Sequence, residues 1–566
     1  MSQFHEGHRC TAEERAAYHA AGWWGERTLA EHVLDHAEHR GDQAAYLTEG
    51  GAVTWQALAE GALGLAGALV DAGVRAGDRI GVWLPDGPAL HAAFLAVELA
   101  GGVIVGLGAR AGDRELGHVL AASEATVLIT AERVGGRRAA DAVAGLRRSG
   151  AAIRHLQISP AVEDLHPILD GRGIPARSLT DEERHARRRG PDDLFLINST
   201  SGTTGLPKCV LHTQNRWRYF HLKATANGHL RGDDVFFGAV PAPFGFGLWT
   251  SHVTPITLGA PTVLLERFSP AAAVELIERH RVTVLSCVST QFIMLLAEGD
   301  LDRHDLSSLR VMFTGGEAVP TARVREFERR TGAVALQFYG SNETGLLSGT
   351  TLHDDAEVRL RTAGRIVPEM QVRLFDEAGR DVTATGRGRP GCRGPALSLG
   401  YLDRAANAEL YTDDGWMLMG DICEIDGDGN LTVVGRTSDF IIRGGKNISA
   451  PQVEADVATH PAVAHVAAVA MPDPVFGERV CAYVELVAGR SLDLAGLVGH
   501  LAERGISKEL FPERLVVVDE LPRSSGAKVA KGELRDDIRR RLAAEAHLGG
   551  RAPTSTSTSP AAGATA

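Results

Sequence analysis

No stretch of this 566-residue chain approaches the roughly 18 consecutive apolar residues that a membrane-spanning helix requires. Its opening, MSQFHEGHRCTAEERAAYHAAGWW, holds no apolar core for a signal peptide. Cysteine is sparse, and Cys10, Cys209, Cys287, Cys392, Cys423 and Cys481 show neither a CxxC pair nor metal-ligand spacing. That pattern argues for free thiols in a reducing compartment rather than for disulfides or a zinc site. An excess of positive charge is missing too. The net charge of −12 makes nucleic acid an unexpected partner, because phosphate backbones attract basic surfaces. These absences predict a cytoplasmic protein with no membrane span. What is present is an ordinary globular balance, 44% hydrophobic and 23% charged, over more residues than one core usually organises. Two or more domains are therefore expected.

Helical patterns alternate with short apolar runs from about residue 28 to 135. TLAEHVLDHAEHR opens on Thr28 as an N-cap and carries apolar residues at helical spacing. RIGVWLP and ATVLIT read as buried strands, and ALHAAFLAVELAGGVIVGL as a helix broken at Gly101-Gly102 and followed by a strand. Such alternation predicts an α/β domain with a largely parallel sheet. Residues 136–190 are Arg- and Ala-rich and weakly periodic, and TDEERHARRRGPDD reads as a solvated approach. Strand signals resume at LFLINST, RVTVLSCVS and LRVMFTGGE. After 355 the chain turns β-rich and Gly-punctuated. It then forms a compact α+β unit whose helix SLDLAGLVGHLAERG places Leu494, Leu497, Val498 and Leu501 on one face. The expected division is a large N-terminal domain over 1–435, with layered α/β sheets and a β-rich subdomain. A small α+β domain over 436–545 and a low-complexity, disordered tail over 546–566 follow.

The stretch INSTSGTTGLPKCVLHT carries the most chemistry. A buried strand runs into Thr200, Ser201, Gly202, Thr203, Thr204 and Gly205, and the loop closes on Pro207-Lys208. Glycines admit an anion close to the backbone, hydroxyls and amides donate to it, and lysine supplies charge. A Walker A loop is excluded, since Lys208 lies between Pro207 and Cys209 and GxxxxGK[ST] is absent. SGTTGLPK resembles the nucleotide loop of the adenylate-forming superfamily, which includes acyl-CoA and aryl-CoA ligases, carrier-protein adenylation domains and luciferases. Four further segments follow in that family's order: FYGSNETG, LMGD, GRTSDFIIRGGKNISAPQVE and PRSSGAKVAKGELR. Together the five cover residues 28 to 545.

The resemblance implies an enzyme that joins a carboxylic acid to AMP and passes the acyl group to a thiol, with ATP, Mg²⁺ and coenzyme A as cofactors. By motif, Thr203, Thr204 and Lys208 would hold the nucleotide phosphates, and the other loop residues with Gly316 and Glu317 would complete the nucleotide-binding set. Glu343 with Thr204 would hold the metal, a hard cation that takes oxygen ligands. Tyr339 on Gly340 would stack on adenine, and Asp421 with Arg436 would bind the ribose. Lys528 would neutralise charge between the carboxylate and the α-phosphate, with Asn342 and Glu343 completing the catalytic set. Ser438 matches the hinge about which the mobile small domain turns. That turn would bring Arg443, Gly444, Gly445 and Lys446 to line the thiol tunnel.

The sequence departs from the family pattern near the first half-reaction. Cys209 follows the loop lysine in place of glycine, Asn342 stands for threonine, Met419 precedes the ribose aspartate, and Gly526-Ala527 precedes Lys528. These departures predict impaired adenylation beside intact thioester formation from a supplied acyl-adenylate. A partner adenylating enzyme would then supply that adenylate. The segment VPAPFGFGLWTSH matches the wall of the acyl pocket: Phe244, Gly245, Phe246 and Gly247, with Gly315 and Ser341 opposite. Glycines at 245, 247, 315 and 340 either leave volume for a bulky or aromatic, mostly apolar acid or serve turns. The leading expectation is an acid–CoA ligase. A stand-alone adenylating enzyme that loads a carrier protein and a non-catalytic acyl- or nucleotide-binding homologue are the alternatives. The oligomeric state stays open, with a dimer among the options.

Overall fold

The computed structural model describes residues 10–549, apart from 176, 200–206, 299, 316–318, 377, 437–439, 444–445, 474–475, 505, 507 and 524–528. The side chains at 298, 436, 440, 442, 446, 447, 509 and 546–549 are likewise not described. The chain divides into two compact units, one running to Ser438 and one from Asp439 onward. The expected α/β class, with a larger N-terminal and a smaller C-terminal unit, is what the backbone forms.

Two large sheets build the first unit. One has eight strands, and its centre is the parallel run Val127–Thr130, Arg79–Trp83, Val103–Leu107 and Leu194–Ser199. Cys209–Thr213 closes its edge antiparallel to Leu194–Ser199. The second sheet has nine strands, with Phe236–Gly238, Val284–Ser286, Val311–Gly315 and Val334–Ser341 parallel at its core. The strands are apolar on both faces because helices cover both sides, as parallel sheets require. Pro88–Leu99 is such a helix, with Leu90, Phe94 and Leu95 wholly buried. Thr28 caps Leu29–Arg40, as the sequence predicted, and also forms a reciprocal capping box with Glu31. A five-stranded antiparallel sheet over Gln371–Arg436 forms the β-rich part.

Residues 136–190 are more ordered than their composition suggested. Ala139–Arg148 is a helix that buries Ala142, Val143 and Leu146, and Arg154–Gln157 joins the eight-stranded sheet. Alanine supplies little hydrophobic contrast, so the amphipathic face was hard to see. Asp181–Arg187 is a capped helix with no buried residue, tied down by Arg177, which pairs with both Asp71 and Glu183.

The second unit is a five-stranded sheet with helices Ala450–Val457 and Leu494–Glu503 and a long last helix. Leu497 and Leu501 are its buried helical anchors. The last helix spans Lys531–Gly549, four residues past the expected end of the domain at 545, and the rest of the expected tail lies outside the described residues. No helix among the described residues is long and apolar enough to cross a membrane.

Candidate active site

Strand Val334–Ser341 reaches the site and turns at residues 341–344 into Gly345–Gly349. A register shift between Tyr339 and Gly340 marks a bulge there. Ser341 Oγ accepts from the backbone N–H groups of Glu343 (3.2 Å) and Thr344 (3.0 Å), so its hydroxyl holds this turn. Ser341, expected in the wall of the acyl pocket, is thus also a structural residue of the turn. Three of the four glycines expected near that pocket stand against backbone. A Cβ on Gly340 would sit 1.7 Å from the carbonyl oxygen of Gly345, on Gly247 2.3 Å from that of Val240, and on Gly315 2.4 Å from that of Phe338. At these three positions glycine lets backbones meet, which agrees with the turn-serving alternative of the two the sequence offered. Only at Gly245 would a Cβ meet side chains, Asn342 Oδ1 and Trp217 Cη2, each at 3.2 Å.

Tyr339 hydroxyl donates to Asp421 Oδ2 at 2.8 Å and lies 3.4 Å from Cys423 Sγ. Burial, with the Asp421 carboxylate beside it, raises the Tyr339 phenol well above its ordinary range. Arg436 stands opposite Asp421 in the antiparallel register. Glu343 follows on the same turn, and its Oε1 accepts from the Tyr401 hydroxyl at 2.7 Å. Ser398 N–H fixes the Glu343 backbone carbonyl at 2.8 Å. Lys208 Nζ lies 4.8 Å from the centre of the Tyr401 ring, and His118 donates to the Pro207 carbonyl at 3.1 Å. Tyr401 thus joins the loop lysine to the acidic residue. Nothing in its own motif announces it. Leu399–Leu402 hydrogen-bonds irregularly along Cys209–Leu211, and that pairing sets Tyr401 beside Lys208.

Behind this turn lies a buried polar chain. Arg216 Nη1 donates to His212 Nδ1 and to the Asn342 carbonyl (2.9 Å), and Arg216 Nε donates to the Ala396 carbonyl at 2.9 Å. His212 Nε2 meets Asn198 Oδ1 at 2.7 Å. Asn342 Nδ2 donates to the same Oδ1 at 2.6 Å, and Asn198 Nδ2 donates to the Pro243 carbonyl at 3.1 Å. Asn198 pairs with Val210 across the hairpin, so His212 is its diagonal neighbour on one sheet face. The sequence does signal this chain: Asn198 and His212 are polar residues inside otherwise apolar strands.

The segment expected to wall the acyl pocket is packed with rings. Phe246 meets Trp249 edge-on at 5.6 Å, and Trp249 in turn meets Phe220, Phe313 and Phe338 at 4.8, 5.4 and 5.8 Å. Phe244 lies over Gly108, where a Cβ would be 2.8 Å from its ring. A π-helical turn, Trp249–Val253, carries Trp249. In the second unit Arg443 pairs with Glu513. Thr200, Ser201, Gly202, Thr203, Thr204, Gly205, Gly316, Glu317, Ser438, Gly444, Gly445 and Lys528 lie outside the described residues, and only the backbone is described at Arg436 and Lys446.

A two-sheet α/β unit with a bulged strand ending in an acidic turn, followed by a smaller unit, is the build of an AMP-binding enzyme. The chain belongs to the AMP-binding enzyme family: that family's model matches residues 33–402, and the model of the AMP-binding enzyme C-terminal domain matches 452–528. It is 32% identical over 537 residues to the medium-chain fatty-acid–CoA ligase of Escherichia coli (strain K12), covering 94% of each chain. It is also 32% identical over 540 residues to a salicylyl-CoA synthase / salicylate adenylyltransferase of a Streptomyces species, covering 92% of this chain and 96% of that one. The solved structure of the amide bond synthetase McbA from Marinactinospora thermotolerans is similar with a TM-score of 0.77 and 28% identity, over 90% of this chain and 100% of that one.

Proposed function

We propose that the protein is an acid–CoA ligase that activates an aromatic or compact apolar carboxylic acid as its acyl-adenylate and transfers the acyl group to coenzyme A. The observation that carries this reading is the bulged strand end, which sets Tyr339–Asp421 and Glu343–Tyr401–Lys208 on one short turn. The first pair suits adenine and ribose. The second suits phosphate and the Mg²⁺ that travels with it. Glu343 has Oε1 held by Tyr401, which leaves Oε2 as an oxygen ligand for that hard cation. In adenylation a carboxylate oxygen bonds to the α-phosphorus and the bond to pyrophosphate breaks. In the second step the thiol sulfur bonds to the acyl carbon, AMP leaves and the thiol proton is released.

The ring-lined segment around Trp249 favours a flat or compact apolar acyl group over a long charged one. Adenylation is the slower half-reaction, because an amide, Asn342, stands in the threonine position and Lys528 follows Ala527 rather than glycine. The test measures thioester two ways, from acid with ATP and Mg²⁺ and from synthetic acyl-adenylate, using benzoic, phenylacetic and octanoic acids. Coenzyme A, a phosphopantetheinyl carrier protein and an amine serve as competing acceptors. Expected is CoA thioester by both routes, at least about 10-fold faster from the adenylate. Equal rates by both routes would remove the slow first step. Transfer to the carrier protein or the amine alone would replace CoA as acceptor, and no product by either route would leave a binding protein.

A further inference from the structure

The chain Arg216–His212–Asn198–Asn342 is directional. A guanidinium only donates, so His212 Nδ1 must accept, and the imidazole proton must sit on Nε2. His212 Nε2–H then donates to Asn198 Oδ1, which fixes the flip of that amide. With its oxygen turned to His212, Asn198 directs Nδ2 at the Pro243 carbonyl, as observed. The same oxygen takes Nδ2 of Asn342, so the second amide is oriented in turn and keeps one further N–H. One positive charge therefore sets the orientation of three side chains in sequence.

Arg216, His212 and Asn198 are 2%, 0% and 1% exposed. Burial lowers Arg216 to about 9, still a cation at neutral pH, and holds His212 well below its ordinary value, so the imidazole is neutral. Such a chain is expensive to fold. Apolar groups of similar volume would serve packing as well or better, and Arg216 Nη2 finds no partner among the described residues. A chain kept at that cost orients something. Its free end lies between the strand that enters the phosphate loop and the acyl segment 243–245, since Asn342 Oδ1 is 3.2 Å from where a Gly245 Cβ would be.

We infer that His212 and Asn198 are positioning residues for adenylation, holding the Asn342 amide with its remaining N–H at the junction where the acid's carboxylate meets the α-phosphate. This rests on the ligase reading above. Pyrophosphate exchange is measured with the best acid of the panel, beside thioester formation from its synthetic adenylate. His212→Leu keeps volume and breaks the chain. His212→Gln can accept from Arg216 through Oε1 and donate to Asn198 through Nε2. His212→Leu is expected to lower kcat for exchange about 10- to 100-fold with KM for ATP unchanged, while adenylate-to-CoA transfer holds. His212→Gln is expected within about 3-fold of the parent protein, and Asn342→Ala is expected to make His212→Leu silent. Where His212→Leu gives no folded protein, Asn198→Ala reads the same outcome. Equal losses for Leu and Gln, or loss in both half-reactions, would reduce the chain to packing and overturn the inference. Inactivity of the parent protein in both assays would overturn the ligase reading and this inference with it.

Discussion

Tyr401 donates a single hydrogen bond to Glu343 and offers its ring face to Lys208. The two contacts can be separated, because phenylalanine keeps the ring face and loses only the hydroxyl. Removing a partner that orients a metal-ligating carboxylate usually weakens metal binding by 10-fold or more. Tyr401→Phe is therefore expected to raise the Mg²⁺ concentration for half-maximal pyrophosphate exchange about 10-fold, with the maximal rate at saturating Mg²⁺ changed less. A titration of exchange against Mg²⁺ reads it, and an unchanged midpoint would show that Tyr401 does not serve the metal. The hydroxyl itself stays protonated throughout, because burial and the neighbouring Glu343 push its phenol far up.

Loops and turns tie this site to the sheets behind it, and Asp86 is the clearest tie. It lies between strand Arg79–Trp83 and helix Pro88–Leu99 and accepts from the backbone N–H of Ala242, next to the acyl segment. Its neighbours are His91 (Nε2 at 3.8 Å) and Tyr46; His91 Nδ1 in turn meets His252 Nδ1 at 3.1 Å on the π-helical turn. Burial raises Asp86 from 3.8 to about 8, so the native state keeps a proton that the unfolded chain releases near pH 4. Stability contributed by this group is full below about pH 4 and is lost as pH rises through about 8. Asparagine can accept the same Ala242 bond without titrating. The advantage of Asp86→Asn over the parent protein is expected to grow from nothing at pH 4 to its maximum above pH 8, with a slope of about 1.4 kcal/mol per pH unit at most. Thermal melts of both proteins across that range check it, and a difference that does not vary with pH would contradict it. None of these cross-element ties was legible in the sequence. Helices and strands were, because their periodicity is local: Thr28 capped the expected helix and LFLINS became the expected buried strand. Contacts such as Tyr401–Glu343 depend on an irregular ladder between distant segments, and the sequence left the glycines at 247, 315 and 340 open between pocket volume and turns because the backbone carbonyls opposite them come from elsewhere in the fold.

At the scale of the whole molecule the chain divides after residue 438, the position where sequence resemblance places a hinge. The larger unit holds the residues proposed above for nucleotide and acyl binding. Lys528, expected to serve adenylation, and the Gly444-Gly445 loop, expected to serve the thiol, both follow that position in the chain. A protein that runs two reactions with two sets of groups on one small unit has to present them in turn, so a stiffened boundary should penalise one reaction more than the other. Proline fixes φ near −65° and removes the backbone N–H. Ser438→Pro is thus expected to leave pyrophosphate exchange within about 3-fold and to slow acyl transfer from synthetic adenylate to CoA by 10-fold or more, roughly the range in which conformational steps limit turnover. The two assays are run on the same preparation, so folding is controlled internally. Equal retention of both activities would mean that residue 438 absorbs no rotation. Equal loss would mean that the substitution damages the fold, and only an asymmetric loss ties the boundary to alternation between the half-reactions.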